Sequence, residues 1–195
     1  MARVGLPYSV FAPVTTETPG SAVVYGTPVV FTNPIEADVA FDRADNPLDG
    51  GDVIAENDNG IVGGSLSFNN THLTPANRAA MLGHEHIGTA PNDYYAETGV
   101  PSPAGGFWYV TSEVENNVKM FYAYWIYKTQ LAMNEDKAKT KNSKGVEWQT
   151  PIVEGPIMGV LVDASGVPKF RAYMAFTTYA AAKAWVDTKA GVSGT

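Results

Sequence analysis

The sequence predicts a mainly β fold, read as a single-domain β-sandwich or partly closed barrel with two short helices and one long projecting acidic loop. Three observations carry that expectation. Aromatic residues make up 11% of the 195, and 19 glycines and 13 prolines are spread along the chain, which suits many short strands broken by turns. Helical periodicity is confined to two short stretches. Period-two alternation is frequent, and because strand side chains alternate faces, it reports which faces are buried.

Taken in order, Val4 to Val14 and Ala22 to Phe31 read as strands, separated by a segment in which Pro19 and Gly20 break regular structure. Pro7, Pro13 and Pro28 confine them to edges or bulges, since proline donates no ladder hydrogen bond. From Ile35 to Phe41 the alternation is clean, with Glu36 and Asp38 opposite Ala37 and Val39, as in a strand with one wet face. Residues 43–60 offer only Leu48, Val53 and Ile54 as apolar anchors among Asp, Asn and Gly, and so read as a projecting loop. Ile61 to Phe68 resumes the sheet. Thr74 and Pro75 then open a helix as N-cap and first helical residue, and Gly83 closes it.

The second half centres on Val118 to Leu131. Met120, Tyr122, Tyr124 and Ile126 point one way and Phe121, Ala123, Trp125 and Tyr127 the other, which describes a central strand covered on both faces. Gly106 to Val114 feeds it through a tight turn at Glu115, Asn116 and Asn117. A lysine-rich tip, 134–144, then suggests a long hairpin whose second arm is Gly145 to Met158. Gly159 to Val162 and Lys169 to Phe176 suggest another hairpin around Asp163 and Gly166. A final helix over 178–190 is capped by Thr178, ended by Gly191, and expected to dock through Trp185 with Lys189 snorkelling.

No linker, fixed-period repeat or low-complexity tract divides the chain, so one domain is expected, long enough to bury roughly 70% of its unfolded surface. The absence of cysteine excludes disulfides, zinc ribbons and thiol catalysis. No apolar run approaches the roughly 20 residues that span a bilayer, and no secretory signal opens the chain, so no membrane partner is expected.

The formal charge of −7 is unevenly distributed. Glu36, Asp38, Asp42, Asp45, Asp49, Asp52, Glu56 and Asp58 face one base, Arg43, so this stretch holds the whole net charge. Lys137, Lys139, Lys141 and Lys144 gather at the tip, where only Glu135 and Asp136 oppose them. Lysines on a hairpin tip commonly form a solvated turn or guard against edge pairing. The sharper expectation is that the acidic loop of one subunit meets the lysine tip of a neighbour, with complementary charge steering assembly.

The order of aromatic YWIYK (Tyr124 to Lys128), lysine-rich KTKNSKG (Lys139 to Gly145) and EWQTPIVEG (Glu147 to Gly155), after the opening RVGLPYSVFAPVT (Arg3 to Thr15), resembles the major tail proteins of long, non-contractile-tailed phages. The segment from His72 to Pro103 matches none of that pattern. The resemblance implies a tail-tube fold and a virion protein, assembled in the host cytoplasm into hexameric rings that stack as a tube. Each subunit would give strands to a continuous barrel, and a loop placed like 43–60 would make ring-to-ring contacts. It also implies a tape-measure protein inside the growing tube, tail-terminator and distal tail proteins at its ends, and genomic DNA sliding through the lumen without specific binding. A neutral to acidic lumen suits that passage.

Catalysis finds little support. No serine sits in a Gly-x-Ser-x-Gly context, and the glycine pairs Gly50-Gly51, Gly63-Gly64 and Gly105-Gly106 fit no phosphate loop. No enzyme activity, metal or cofactor is therefore expected. Metal-type ligands gather only at His72, His84, Glu85, His86 and Asp93, and a His-x-His pair is more often solvated than ligating. A metal-assisted hydrolase built there ranks last. Nucleic-acid recognition is disfavoured by the acidic balance. The alternative from another class is a β-sandwich binding module for carbohydrate or protein, with Trp108, Tyr109, Tyr94 and Tyr95 as a stacking platform, although such aromatics more often fill a core.

Overall fold

A computed structural model describes residues 2–50, 53–115, 118–138, 140 and 149–192 of the chain. The fold is mainly β, with two helices and a large antiparallel sheet that does not close into a barrel. In chain order the strands are β1 (Ala2–Thr16), β2 (Val24–Tyr25), β3 (Val29–Phe31), β4 (Pro34–Arg43), β5 (Asn46–Gly50), β6 (Val53–Asp58) and β7 (Ile61–Asn70). Helix α1 (Pro75–Leu82) is followed by β8 (Glu85–Ile87), β9 (Tyr94–Ala96), β10 (Ala104–Glu115), β11 (Val118–Gln130), β12 (Ile152–Ile157), β13 (Arg171–Phe176) and helix α2 (Tyr179–Ala190). The sheet runs β2-β1-β10-β11-β12-β7-β4, with β3 added to β1 and β13 added to β11.

The doubly covered strand is as expected. Tyr124 and Ile126 enter one apolar core with Phe107, Tyr109, Phe11, Phe31, Leu66 and Phe68, which lies between the β1-β10-β11 layer and the β12-β7-β4 layer. Ala123 enters a second core on the opposite face with Trp108, Val110, Val10 and Tyr8, roofed by Ala182, Val186 and Ala190 of α2. The β10–β11 register, from Ala104↔Gln130 to Glu115↔Val118, leaves room for two residues between the strands, as the tight turn requires.

The expected hairpin between β11 and the chain returning to Met158 is not the main pairing; Gly145 to Trp148 lie outside the described residues. β11 meets β12 only at Thr129↔Ile157, with a bridge Ala132↔Glu154 just beyond. Its long partner is β13, from Phe121↔Phe176 to Ile126↔Arg171. The reason lies in the patterning. β12 buries Val153 and Ile157 and exposes Ile152 and Glu154, so it belongs with the other strands that keep one wet face, and its full ladder is with β7. At this corner Gly155 passes so close to β11 that a Cβ there would overlap the Gln130 carbonyl oxygen.

Other expectations need correction. The hairpin read over 159–176 reduces to a bridge at Val160↔Lys169. The strand read over Ala22 to Phe31 is two short strands, because Pro28 lacks an amide and the Gly26 amide turns to donate to the Pro13 carbonyl at 2.8 Å. The loop read over 43–60 is largely the two-stranded ribbon β5–β6, continuing the β4–β7 pair, with the Ala44 amide donating to the Gly60 carbonyl at 2.8 Å. The expected barrel closure does not occur.

Both helices form where their caps predicted. Thr74 Oγ1 accepts from the Asn77 amide at 3.1 Å, Thr178 Oγ1 accepts from the Ala181 amide at 3.3 Å, and Gly83 and Gly191 end the helices at φ 76° and 74°. However, α2 docks through Ala182, Val186 and Ala190, small residues that allow close approach, while Trp185 stays half-buried against Phe176 with ring centroids 6.3 Å apart. Tyr8 Oη donates to Asp187 Oδ1 at 2.6 Å, and Lys183 Nζ donates to Asp187 Oδ2 at 2.6 Å. Lys189 does lie over an aromatic ring, 5.9 Å from the centroid of Trp125.

Candidate assembly surfaces

The first surface is a strand edge. Among the described residues β13 pairs with β11 alone, so its other side presents unpaired amides and carbonyls. From Ala172 to Phe176 it carries no charge, and Tyr173 and Met174 are 66% and 49% exposed on opposite faces. Monomeric β proteins guard such edges with charge, proline or brevity. β13 has none of these. Its start is held by Arg171, whose guanidinium lies 4.8 Å from the Phe41 ring centroid and 5.1 Å from that of Tyr124. Tyr173 continues a cross-strand row, its ring 5.9 Å from Tyr124, which stacks on Tyr109 at 4.8 Å.

The second surface is the outward face of β4, β7 and β12. The registers put Asp38, Ser67 and Glu154 in one row, Glu36, Asn69 and Ile152 in the next, and Ala40, Ser65 and Pro156 on the other side. Ser67 Oγ donates to Glu154 Oε1 at 3.1 Å. Together with Asp42, four carboxylates share this face, and no lysine or arginine stands in these rows. Arg43 ends β4, where its Nη1 donates to the Asn59 carbonyl at 3.1 Å.

The acidic ribbon and the lysine tip are the third candidate. Asp42 and Asp45 are exposed; Asp49, Glu56 and Asp58 stand on β5 and β6; Asp52 lies outside the described residues. At the tip Lys137 is exposed and pairs with Glu135 of its own chain, Nζ to Oε2 2.5 Å, whereas Lys139, Lys141 and Lys144 lie outside the described residues. Asp136 is held by Arg78 of α1 at 2.7 Å. The two stretches 134–137 and 149–152 border a hollow of about 380 Å³ with Leu73 and Arg78.

The histidines do not converge. His86 Nε2 lies 2.8 Å from Asp93 Oδ2, and its ring stacks on Tyr95 with centroids 4.7 Å apart across the β8–β9 pair. This hydrogen bond holds the Asp93 carboxyl below the usual carboxylate range. His72 is exposed and His84 half-buried, and among the described residues no group of three His, Cys, Asp or Glu side chains is placed to hold a metal ion.

The aromatic platform is dispersed as well. Trp108 and Tyr109 are buried in the two separate cores, and of the four only Tyr94, 58% exposed, reaches well into solvent. The β13 edge escaped sequence reading because its residues were assigned to a local hairpin. The signal that marks it is the uncharged run from Ala172 to Phe176, apolar in both registers like β11.

Neither the models of known protein families nor the curated protein sequences include one that this chain matches.

Proposed function

We propose that this protein is a tail tube subunit of a long, non-contractile-tailed phage, self-assembling into hexameric rings that stack into the conduit for DNA. The observation that carries the reading is the unguarded edge of β13. An uncharged strand with a free backbone edge is an aggregation hazard in a monomer and a requirement in a ring, where the next subunit covers it.

Two further features support it. The outward β4-β7-β12 face sets Glu36, Asp38, Asp42 and Glu154 among Ser, Ala, Gly and Asn, a surface to which a polyanion finds no cation to hold it. The β5–β6 ribbon extends the same pair of strands outward, suiting a contact between stacked rings. On this reading the ribbon's acids meet the lysine tip of another subunit, a tape-measure protein fills the lumen during assembly, and tail-terminator and distal tail proteins close its ends. The protein needs no cofactor, and its work is mechanical.

Negative-stain electron microscopy of the purified protein, with light scattering at low and high salt, tests the reading. Hollow rings or tubes are the expected result. A protein that stays monomeric across concentration and salt, including after addition of preformed tube ends, would overturn it.

A further inference from the structure

We infer that β13 of one copy pairs edge to edge with β4 of the next, and that this unlike joint closes the ring. The inference rests on the tube reading and adds which two edges meet.

Three edges terminate the sheet among the described residues. The β2 and β3 edge offers segments of two and three residues interrupted by Gly26 and Pro28, too short for a ladder between subunits. β13 has six residues and β4 has ten, and each is hydrogen-bonded on one side only. Their chemistry differs. β13 is approached through Lys169 and Arg171 and contains no acid, whereas β4 exposes Glu36, Asp38 and Asp42 and reaches a cation only at its last residue.

Electrostatics and symmetry then choose the pairing. Two β4 edges side by side would set carboxylate against carboxylate, which is repulsive across a strand pair. Two β13 edges would satisfy each other, but such a two-fold contact closes at a dimer and leaves both β4 edges open. β13 against β4 satisfies both edges of every copy, brings the basic start of one strand near the acids of the other, and repeats with a constant rotation, as a closed ring requires. It also covers Tyr173 and Met174.

Photocrosslinking tests the joint without assuming a register. A benzoylphenylalanine is introduced at Tyr173, whose exposure tolerates the larger ring, in a mixture of isotopically labelled and unlabelled copies. Mass spectrometry then separates links between copies from links within one. The expected products join position 173 to residues 34–43 of a differently labelled copy. A second probe at Met174, on the opposite face of β13, should give the same target strand and guards against one probe blocking the contact. Links confined to 171–176 of another copy, links to any other strand, or no links between copies would overturn the inference. Microscopy of the same samples separates the two levels: rings with links elsewhere remove this joint and leave the tube reading standing, while particles that never exceed a monomer remove both.

Discussion

Two ribbons in this molecule begin from the same local device and end in opposite environments. β10–β11 is a pair of long antiparallel strands with apolar residues in both registers, so Phe107, Tyr109, Tyr124 and Ile126 fill one core while Trp108, Val110 and Ala123 fill the other. β4–β7 is also a pair of long antiparallel strands, but only one register is apolar. Leu66, Phe68 and Val39 turn inward, and Asp38, Ser65 and Ser67 turn outward. Past Arg43 the ribbon continues as β5–β6, whose longest contacts are between its own two strands. Burial on two faces makes a ribbon a source of stability. Burial on one face, fading to none, leaves it free for partners.

The largest effect should come from opening the doubly covered ribbon. Trp108 is fully buried, edge-on to Tyr25 at 4.8 Å and stacked on Trp125 at 5.9 Å. Trp108→Ala should destabilise the protein by about 3–5 kcal/mol, a large share of the ~5–15 kcal/mol that holds a domain of this kind together. Asp38→Ser, on the wet face of the other ribbon, should change stability by less than about 0.5 kcal/mol. Urea unfolding of both variants checks the contrast, and comparable losses would break it.

Alkaline pH should also act mainly on the doubly covered side. Burial raises the phenols of Tyr8, Tyr25, Tyr127 and Tyr179, and at Tyr8 the hydrogen bond to Asp187 adds to it. All four belong to β1, β2, β11 or α2. A pKa raised by folding means that the native state holds its proton more tightly than the unfolded chain does. The stabilisation is therefore complete below about pH 10, where a free tyrosine titrates, and is lost as pH climbs toward the raised native values. The urea midpoint should fall from about pH 10 upward, and the fall should be shallower in Tyr8→Phe. An equal slope in the two proteins would remove Tyr8 from the account.

How far the sequence disclosed these features depends on the range of the interactions behind them. Short-range signals read correctly: Thr74 and Thr178 cap their helices, Gly83 and Gly191 end them, and the double register of β11 marked a strand covered on both faces. Choice of partner did not. β11 prefers β13 over β12 because β13 is compatible with two covered faces, a comparison between segments about 50 residues apart that a rule favouring nearby hairpins passes over. Trp185 misled through its size, since α2 approaches the sheet through alanines. The acids of β4 were visible as an alternation, but the row joining Asp38 to Glu154 through Ser67 exists only once two ladders are in register. The β13 edge is legible only after the sheet order shows what stays unpaired.

A smaller loss tests how the two sides of the doubly covered region are held. Thr178→Ala removes the hydroxyl that caps α2 and should lower stability by about 1 kcal/mol, because the roof over Val10, Trp108 and Ala123 depends on that helix. The corresponding cap of α1, Thr74→Ala, should cost a similar amount, since Met81 and Leu82 of α1 are buried too. Thermal unfolding of the two variants compares the helices directly. If Thr178→Ala were silent while Thr74→Ala was not, the second core would be closed by side-chain packing alone.

The smallest change in stability should accompany the largest change in assembly. Replacing residues 45–59 by a short turn removes β5–β6 while leaving the β4–β7 ladder from Pro34↔Asn70 to Arg43↔Ile61 in place. The excised ribbon carries Asp45, Asp49, Asp52, Glu56 and Asp58, no base, and few apolar residues. A shorter connection also lowers the entropy of closing the hairpin, though only by a fraction of a kcal/mol. The isolated subunit should therefore unfold at nearly the same urea concentration as the parent. Stacking of rings into tubes should fail, and reversal of Lys137, Lys139 and Lys141 to glutamate should weaken it in the same direction at low salt, where unscreened charge matters most. Unimpaired tubes from either variant would mean that the acidic ribbon is ordinary solvated surface. A marked loss of subunit stability on excision would mean instead that the ribbon belongs to the fold, and the division between a stabilising ribbon and an assembling one would fall with it.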